Sequence, residues 1–129
     1  MTTATRAFEL FETVYYGGID RGDMATATSA LHPAIEWSHQ QVWAHHGFAR
    51  GTPETKHGRE AVREFLAARV AQLREARIRH HVREMVYDEP RGRGAFLGAV
   101  EGPDGRSLGF MVWFELEDGL VRRYLLRPL

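Results

Sequence analysis

No cysteine occurs in this chain, and that single absence removes disulfides, thiolate nucleophiles and thiolate metal sites together. It is also compatible with a reducing compartment. Net charge is lacking as well: 17 Lys and Arg offset 17 Asp and Glu, with the two signs interleaved rather than gathered into blocks. Such a surface has no global field to draw it to nucleic acid. No apolar run approaches the roughly 20 residues of a membrane span, and the opening Met-Thr-Thr-Ala-Thr-Arg has neither the basic flank nor the apolar stretch of a secretory signal. The chain is therefore expected to be soluble and cytoplasmic, with neither nucleic acid nor membrane among its partners. Internal repeats and low-complexity tracts are missing too. What remains is 129 residues, room for one domain over 1–129 with a real core and a preference for small, neutral or mildly charged partners.

Apolar residues recur at near-helical spacing from Ala7 to Ile19, which predicts a helix turning Phe8, Phe11, Tyr15 and Ile19 inward. Gly17-Gly18 lies late in it, and glycine inside a helix costs about 1 kcal/mol relative to alanine. The pair marks either a helix end or a close backbone approach. Asp23 is suited to cap a second helix through Leu31, which Pro33 closes. Then the period changes to two. Ile35, Trp37 and His39 alternate with Glu36, Ser38 and Gln40, a half-buried strand with His39 on its apolar face. Residues 41–57 have no period and are expected to form a long loop whose Trp43 and Phe48 cover a pocket. A third helix is expected over 59–76, with Val62, Phe65, Leu66, Arg69, Val70 and Leu73 as its stripe. Only strand signals follow: 77–87 with Ile78, His80, Val82 and Val86 on one side, then 94–101, 108–116 and 120–127, joined by turns at Pro103-Asp104-Gly105 and Glu117-Asp118-Gly119. Helices first and an antiparallel meander afterwards make an α+β pattern, in which a curved sheet wraps the helices and leaves a cavity.

Four short motifs stand in order along the chain: Tyr15, then Asp20-Arg21-Gly22-Asp23, then His39, then His57-Gly58-Arg59-Glu60. In this order the sequence resembles the ketosteroid isomerases and SnoaL-like polyketide cyclases of the nuclear-transport-factor-2-like superfamily. The resemblance implies a cone-shaped fold, N-terminal helices against a curved, mainly antiparallel sheet enclosing a pocket. It places Tyr15 at the family's first-helix tyrosine and His39 where the isomerases carry an aspartate base. Val112 falls where those isomerases carry a protonated aspartate beside the tyrosine, so half of that oxyanion device is missing and steroid isomerisation is not expected.

Tyr15 and His39 make a workable acid/base pair. Histidine, with a reference pKa of roughly 6.5, exchanges protons near neutrality, and a phenol can donate to a developing enolate or alkoxide. The competing explanation is a packed tyrosine and a hydrogen-bonded core histidine. His80 and His81 are adjacent, so on a strand they face opposite sides. His80, beside Ile78 and Val82, is the further candidate acid/base, and His81 is expected at a surface or interface. His45-His46 lie in the long loop, and no His-x-x-x-His helix or histidine/carboxylate set has ligand spacing, so neither a metal nor another cofactor is expected. Trp37, Trp43, Phe65, Phe110, Val112 and Phe114 are the expected substrate-binding wall. Trp113 points away from Phe110, Val112 and Phe114 onto the outer sheet face, which in the resembled family is often a dimer interface, and this implies a homodimer. Arg122-Arg123 is expected at an exposed edge.

The function expected is a cofactor-independent enzyme using general acid/base chemistry on a small apolar oxygenated molecule, polyketide- or terpenoid-like, of cyclase, dehydratase or isomerase type. An epoxide hydrolase of this fold would need an Asp-Arg-Asp set that the chain does not offer. The alternatives are a non-catalytic small-molecule binding protein and a dimeric scaffold with a filled cavity.

Overall fold

The computed structural model describes residues 1–43 and 51–129. Thr3 opens the first helix by accepting the Arg6 amide at 3.1 Å. The helix runs through α1 (Ala4–Glu9), a π-helical stretch (Leu10–Tyr16) and α2 (Gly17–Arg21), and stops at Gly22, whose φ of 75° ends it in the left-handed region. An i→i+5 turn stacks Tyr15 on Leu10 and Tyr16 on Phe11, so both tyrosines enter the core with both residues beneath them. The expected inward Phe8 is instead 40% exposed, because Ala7, Leu10 and Phe11 take the buried face before the π stretch. The glycine pair is a close approach rather than an end: a Cβ on Gly18 would stand 2.6 Å from the Ala27 amide nitrogen.

Asp23 caps α3 (Met24–Ser29) through the Thr26 amide at 3.1 Å and the Thr26 hydroxyl at 2.6 Å. This helix is shorter than expected, since β1 (Leu31–His39) already begins at Leu31 and carries Pro33 through a register shift between Leu31 and Glu36. A bulge is where a strand tolerates proline. The region expected as loop contains β2 (Glu54–His57), paired antiparallel to β1. Phe48 and His45-His46 lie outside the described residues. The expected third helix is two, α4 (Arg59–Ala67) and α5 (Val70–Ala76), separated at Ala68-Arg69 without a proline or glycine to account for it. Arg59 fastens α4 to β1 by donating to the Leu31 carbonyl at 2.9 Å from Nε and 2.5 Å from Nη2. The Gly58-Arg59 part of the fourth motif thus positions the strand that carries His39.

The remaining strands are β3 (Arg79–Asp88), β4 (Arg93–Glu101), β5 (Ser107–Glu117) and β6 (Leu120–Pro128). The order is β2-β1-β6-β5-β4-β3, an open sheet in which only β1 and β6 run parallel. Register shifts in the β1–β6, β3–β4 and β5–β6 pairs bend it. The fold is α+β, helices against one face of a curved sheet. The shift between Val82 and Glu84 reverses the alternation of β3, so Met85 and Tyr87 turn toward the core and Val86, expected inside, is 69% exposed. β6 lies inside the sheet rather than at an edge; Arg123 extends from it to Glu36 at 2.7 Å and Glu115 at 3.2 Å. No helix among the described residues is long and apolar enough to cross a membrane.

Candidate functional site

Where α2, α4 and α5 cover β1, β6 and the start of β3, the core does not close. The remaining cavity has about 50 Å³ open to the centres of water-sized molecules, room for about four waters. Outside it lies a vestibule of about 210 Å³ that shares His39, Gln41, Phe65 and Arg69 with the cavity wall. The walls are apolar: Ile19, Trp37, Leu66, Leu73, Ile78 and Leu126 among others. Trp43, buried in the cavity wall, is accommodated by Gly102, where a Cβ would meet the indole ring at 2.6 Å.

Into one end project three phenols, those of Tyr15, Tyr16 and Tyr124. The Trp37 indole N–H donates to the Tyr15 hydroxyl at 2.9 Å, and the Tyr16 and Tyr124 hydroxyls lie 2.8 Å apart. The Tyr15 and Tyr124 rings pack at 5.4 Å between centres. The cluster has one N–H and three O–H hydrogens, four in all, against the two hydrogen bonds just given. At least one phenol hydrogen is therefore left without an acceptor inside the cluster. Burial pushes all three phenols well above their ordinary range, so the cluster donates hydrogen bonds and does not accept protons.

Beside it stands His80, its ring stacked on Tyr16 at 5.4 Å and 11°. β3 is an edge strand, and its outward amides need partners. Asp20 takes the His80 amide at 2.9 Å with Oδ2 and the His80 Nδ1–H at 2.7 Å with Oδ1. Glu12 does the same one step along, taking the Val82 amide at 2.6 Å and the His81 Nδ1–H at 3.0 Å. A carboxylate can only accept, so it fixes the tautomer and leaves Nε2 of His80 as a bare lone pair. No described residue hydrogen-bonds that nitrogen.

His39 lies on the inner face of β1 as its alternation predicts, stacked on Trp37 at 4.9 Å and 2° and forming part of both cavity and vestibule. Burial, reinforced by the positive charge of Arg69 and Arg127, holds its imidazole down at about 3. It is neutral at physiological pH. Arg69 sits over Phe65, its guanidinium carbon 3.7 Å from the ring centre, and donates to Gln41 Oε1 at 3.0 Å.

The structure thus brings Tyr15, His39 and His80 together with Trp37, Trp43 and Phe65 around one cavity. Phe110, Val112 and Phe114 are fully buried but stand behind it, packed with Phe11, Phe96 and Tyr16 in the aromatic core. His81 is half-buried in its pair with Glu12. Sequence spacing does not single out Tyr16 or Tyr124, and gives Asp20, in the second motif, no partner; an unbroken α period leaves Tyr16 off the buried face, and only the packing of α2 against β3 brings Asp20 to His80. Among the described residues, one histidine/carboxylate group has metal-ligand proximity: His32 with Glu117 at 3.2 Å and Asp118 at 3.5 Å. His32 Nδ1 accepts the Ala34 amide at 3.0 Å. Its Nε2 therefore holds the hydrogen and is not free to ligate.

Comparison with known proteins bears out this architecture. A candidate ketosteroid isomerase from Kribbella flavida DSM 17836 superposes with a TM-score of 0.65 at 16% identity, over 97% of this chain and 78% of its own. A candidate polyketide cyclase from Sinorhizobium meliloti gives 0.63 at 15% identity, over 88% and 89%. The structure of TerC, co-crystallised with polyporic acid, gives 0.67 at 23% identity, over 96% and 92%. No curated protein matches the sequence. The family model of the SnoaL-like domain matches residues 13–124, from within the π-helical stretch to the middle of β6, and the chain accordingly belongs to the SnoaL-like domain family, with the nuclear-transport-factor-2-like fold.

Proposed function

We propose that this protein is a cofactor-independent enzyme that abstracts or relays a proton beside a carbonyl on a small apolar oxygenated molecule, as a cyclase, dehydratase or isomerase does. The observation that carries this is the His80–Asp20 pair: a lone pair on Nε2, fixed in direction by a 2.7 Å bond on Nδ1, in the same wall as a donor-rich phenol cluster. A base oriented by a carboxylate and a donor placed where negative charge develops are the two parts proton abstraction requires. His80 takes the proton at Nε2, with Asp20 beside the imidazolium that forms. The surplus phenol hydrogen of the Tyr15–Tyr16–Tyr124 cluster goes to the enolate oxygen. The expected base His39, held down at about 3, is too weakly basic for that part near neutrality; it serves instead as a neutral polar wall.

The neighbours of cyclase and isomerase kind and the polyporic acid bound to TerC support a small-molecule site. The same reading takes 1–129 as one domain, located in the cytoplasm, and as a homodimer through the outer sheet face. There Leu97, Met111, Trp113 and Leu125 are 38–46% exposed and adjacent, since Met111 pairs with Leu97 and Trp113 with Leu125.

The test is a thermal-shift and calorimetric titration of wild type, His80→Gln and Tyr16→Phe with polycyclic ketones and phenols. Stabilisation of wild type that both variants weaken is expected. Ligands that bind all three proteins equally would move the site elsewhere, and binding without turnover of any ligand would favour a carrier.

A further inference from the structure

The proton-transfer reading uses the inner side of the cavity, where the three phenols and His80 stand, and leaves the side open to the vestibule unassigned. Four residues border both spaces: His39, Gln41, Phe65 and Arg69. Phe65 is apolar, and Gln41 and Arg69 are committed to protein contacts. Arg69 lies against the Phe65 ring at 3.7 Å and donates to Gln41 Oε1 at 3.0 Å, and Gln41 Nε2 donates to the Trp43 carbonyl at 2.8 Å. The Glu54 carboxylate, in the vestibule wall, offsets the Arg69 charge. Arg69 therefore offers an ionic ligand no uncompensated charge.

His39 is the shared residue with hydrogen-bonding capacity to spare. Its ring stacks on Trp37 at 4.9 Å and 2° and stands edgewise to Phe65 at 6.2 Å and 63°, and no described residue hydrogen-bonds either nitrogen. Among the described residues the one fully enclosed side-chain polar atom without a partner is Gln72 Oε1, so the His39 nitrogens are not sealed in protein but open onto the cavity and vestibule. Burial and the charges of Arg69 and Arg127 keep the ring neutral, with one N–H donor and one bare lone pair.

Asp20 fixes the tautomer of His80, but His39 has no such partner, and either of its nitrogens can carry the hydrogen. A hydroxyl suits both tautomers, since it donates to the lone pair of one and accepts the N–H of the other. An ether or a carbonyl only accepts, and a carboxylate meets no charge on this ring. The inner space holds only about four waters, so a ring-bearing ligand with its carbonyl at the phenol cluster has to extend past His39. An apolar group there would leave the imidazole stripped of water and unpaired.

We propose that the substrate of this site carries an uncharged hydroxyl, alcoholic or phenolic, at the end remote from its reacting carbonyl, and that His39 is the specificity-determining residue that reads it. This rests on the cavity being the substrate site, as argued above.

The test uses three matched ligands on the full chain: a cyclohexanone bearing a para-hydroxyphenyl group, its phenyl analogue and its methyl ether, by calorimetry with wild type, His39→Phe and His39→Gln. Wild type is expected to bind the hydroxyl compound about fivefold or more tighter than either of the others. His39→Phe is expected to bring these ratios to within about twofold, and His39→Gln, which keeps a neutral donor and acceptor, to retain part of them. If His39→Phe does not fold, nuclear magnetic resonance of isotope-labelled histidine nitrogens in wild type decides. The hydroxyl compound, and not the phenyl analogue, should then shift the ring nitrogens of His39, identified as the signals missing from His39→Gln. Equal binding of the hydroxyl compound and either analogue to wild type, a preference that survives His39→Phe, or ring nitrogens that respond alike to hydroxyl and phenyl compounds overturns the hydroxyl handle while leaving the cavity as a ligand site. Binding of none of the three overturns both.

Discussion

One carboxylate of Asp20 holds His80 twice, at its backbone amide and at Nδ1, 2.9 and 2.7 Å away. The first bond protects an edge strand and the second orients an imidazole over the cavity. Fold and site therefore share a residue. Glu12 makes the same double contact with Val82 and His81 outside the cavity, which supplies an internal control for separating the two roles.

Asp20→Ala and Glu12→Ala should each destabilise the protein by about 1.5–3 kcal/mol, the range for hydrogen bonds to a charged group. Chemical denaturation measures this directly. Only Asp20→Ala should also weaken ligand binding in the cavity. Equal effects of both variants on binding would mean that Asp20 acts through global stability alone.

His39 should give the stability curve an acid limb. Its folded-state pKa, about 3, lies below its ordinary 6.5, so between these values the unfolded chain binds the proton more readily. Its contribution is complete above pH 6.5 and declines as pH falls toward 3, by up to about 1.4 kcal/mol per pH unit. Denaturation at a series of pH values from 7.5 to 4 should show a shallower decline for His39→Phe than for wild type. Parallel curves would contradict the neutral, buried imidazole.

Gly18→Ala should cost about 1–3 kcal/mol despite alanine's better helix propensity, because its Cβ would press on the Ala27 backbone at 2.6 Å. A stabilised Gly18→Ala protein would mean that α2 and α3 have room to separate.

Trp113→Glu should convert a dimer into monomers, measured by sedimentation, with the fold intact by circular dichroism. The exposed band it interrupts, Leu97, Met111 and Leu125, has no other cover among the described residues. A monomeric wild type at tens of micromolar would remove the dimer from the account.

The sequence patterns that proved legible are the local ones. The stripe through Val62, Phe65 and Leu66, the Asp23 cap and the inward alternation of Ile35, Trp37 and His39 all depend on neighbours within a turn or a strand. Val86 faces outward, against the period of its strand, because a bulge between Val82 and Glu84 reverses the alternation, and nothing in the local pattern marks it. β2 is too short, at four residues, to establish a period. Within the site, Trp37, Trp43 and Phe65 follow from pattern or family resemblance. Tyr16 does not, because it enters the core only through the wide π turn, and Asp20 does not, because its partner lies 60 residues away. Long-range pairs carry no local signature.

The central claim is that His80, and not His39, is the base. It is tested most directly by deuterium exchange at the carbon beside the carbonyl of a bound cyclic ketone, followed by nuclear magnetic resonance in heavy water with wild type, His80→Gln and His39→Gln. Wild type should accelerate exchange; His80→Gln should lose about 100-fold or more of that acceleration, and His39→Gln should stay within about tenfold of wild type. Exchange that survives His80→Gln and vanishes with His39→Gln would contradict the account.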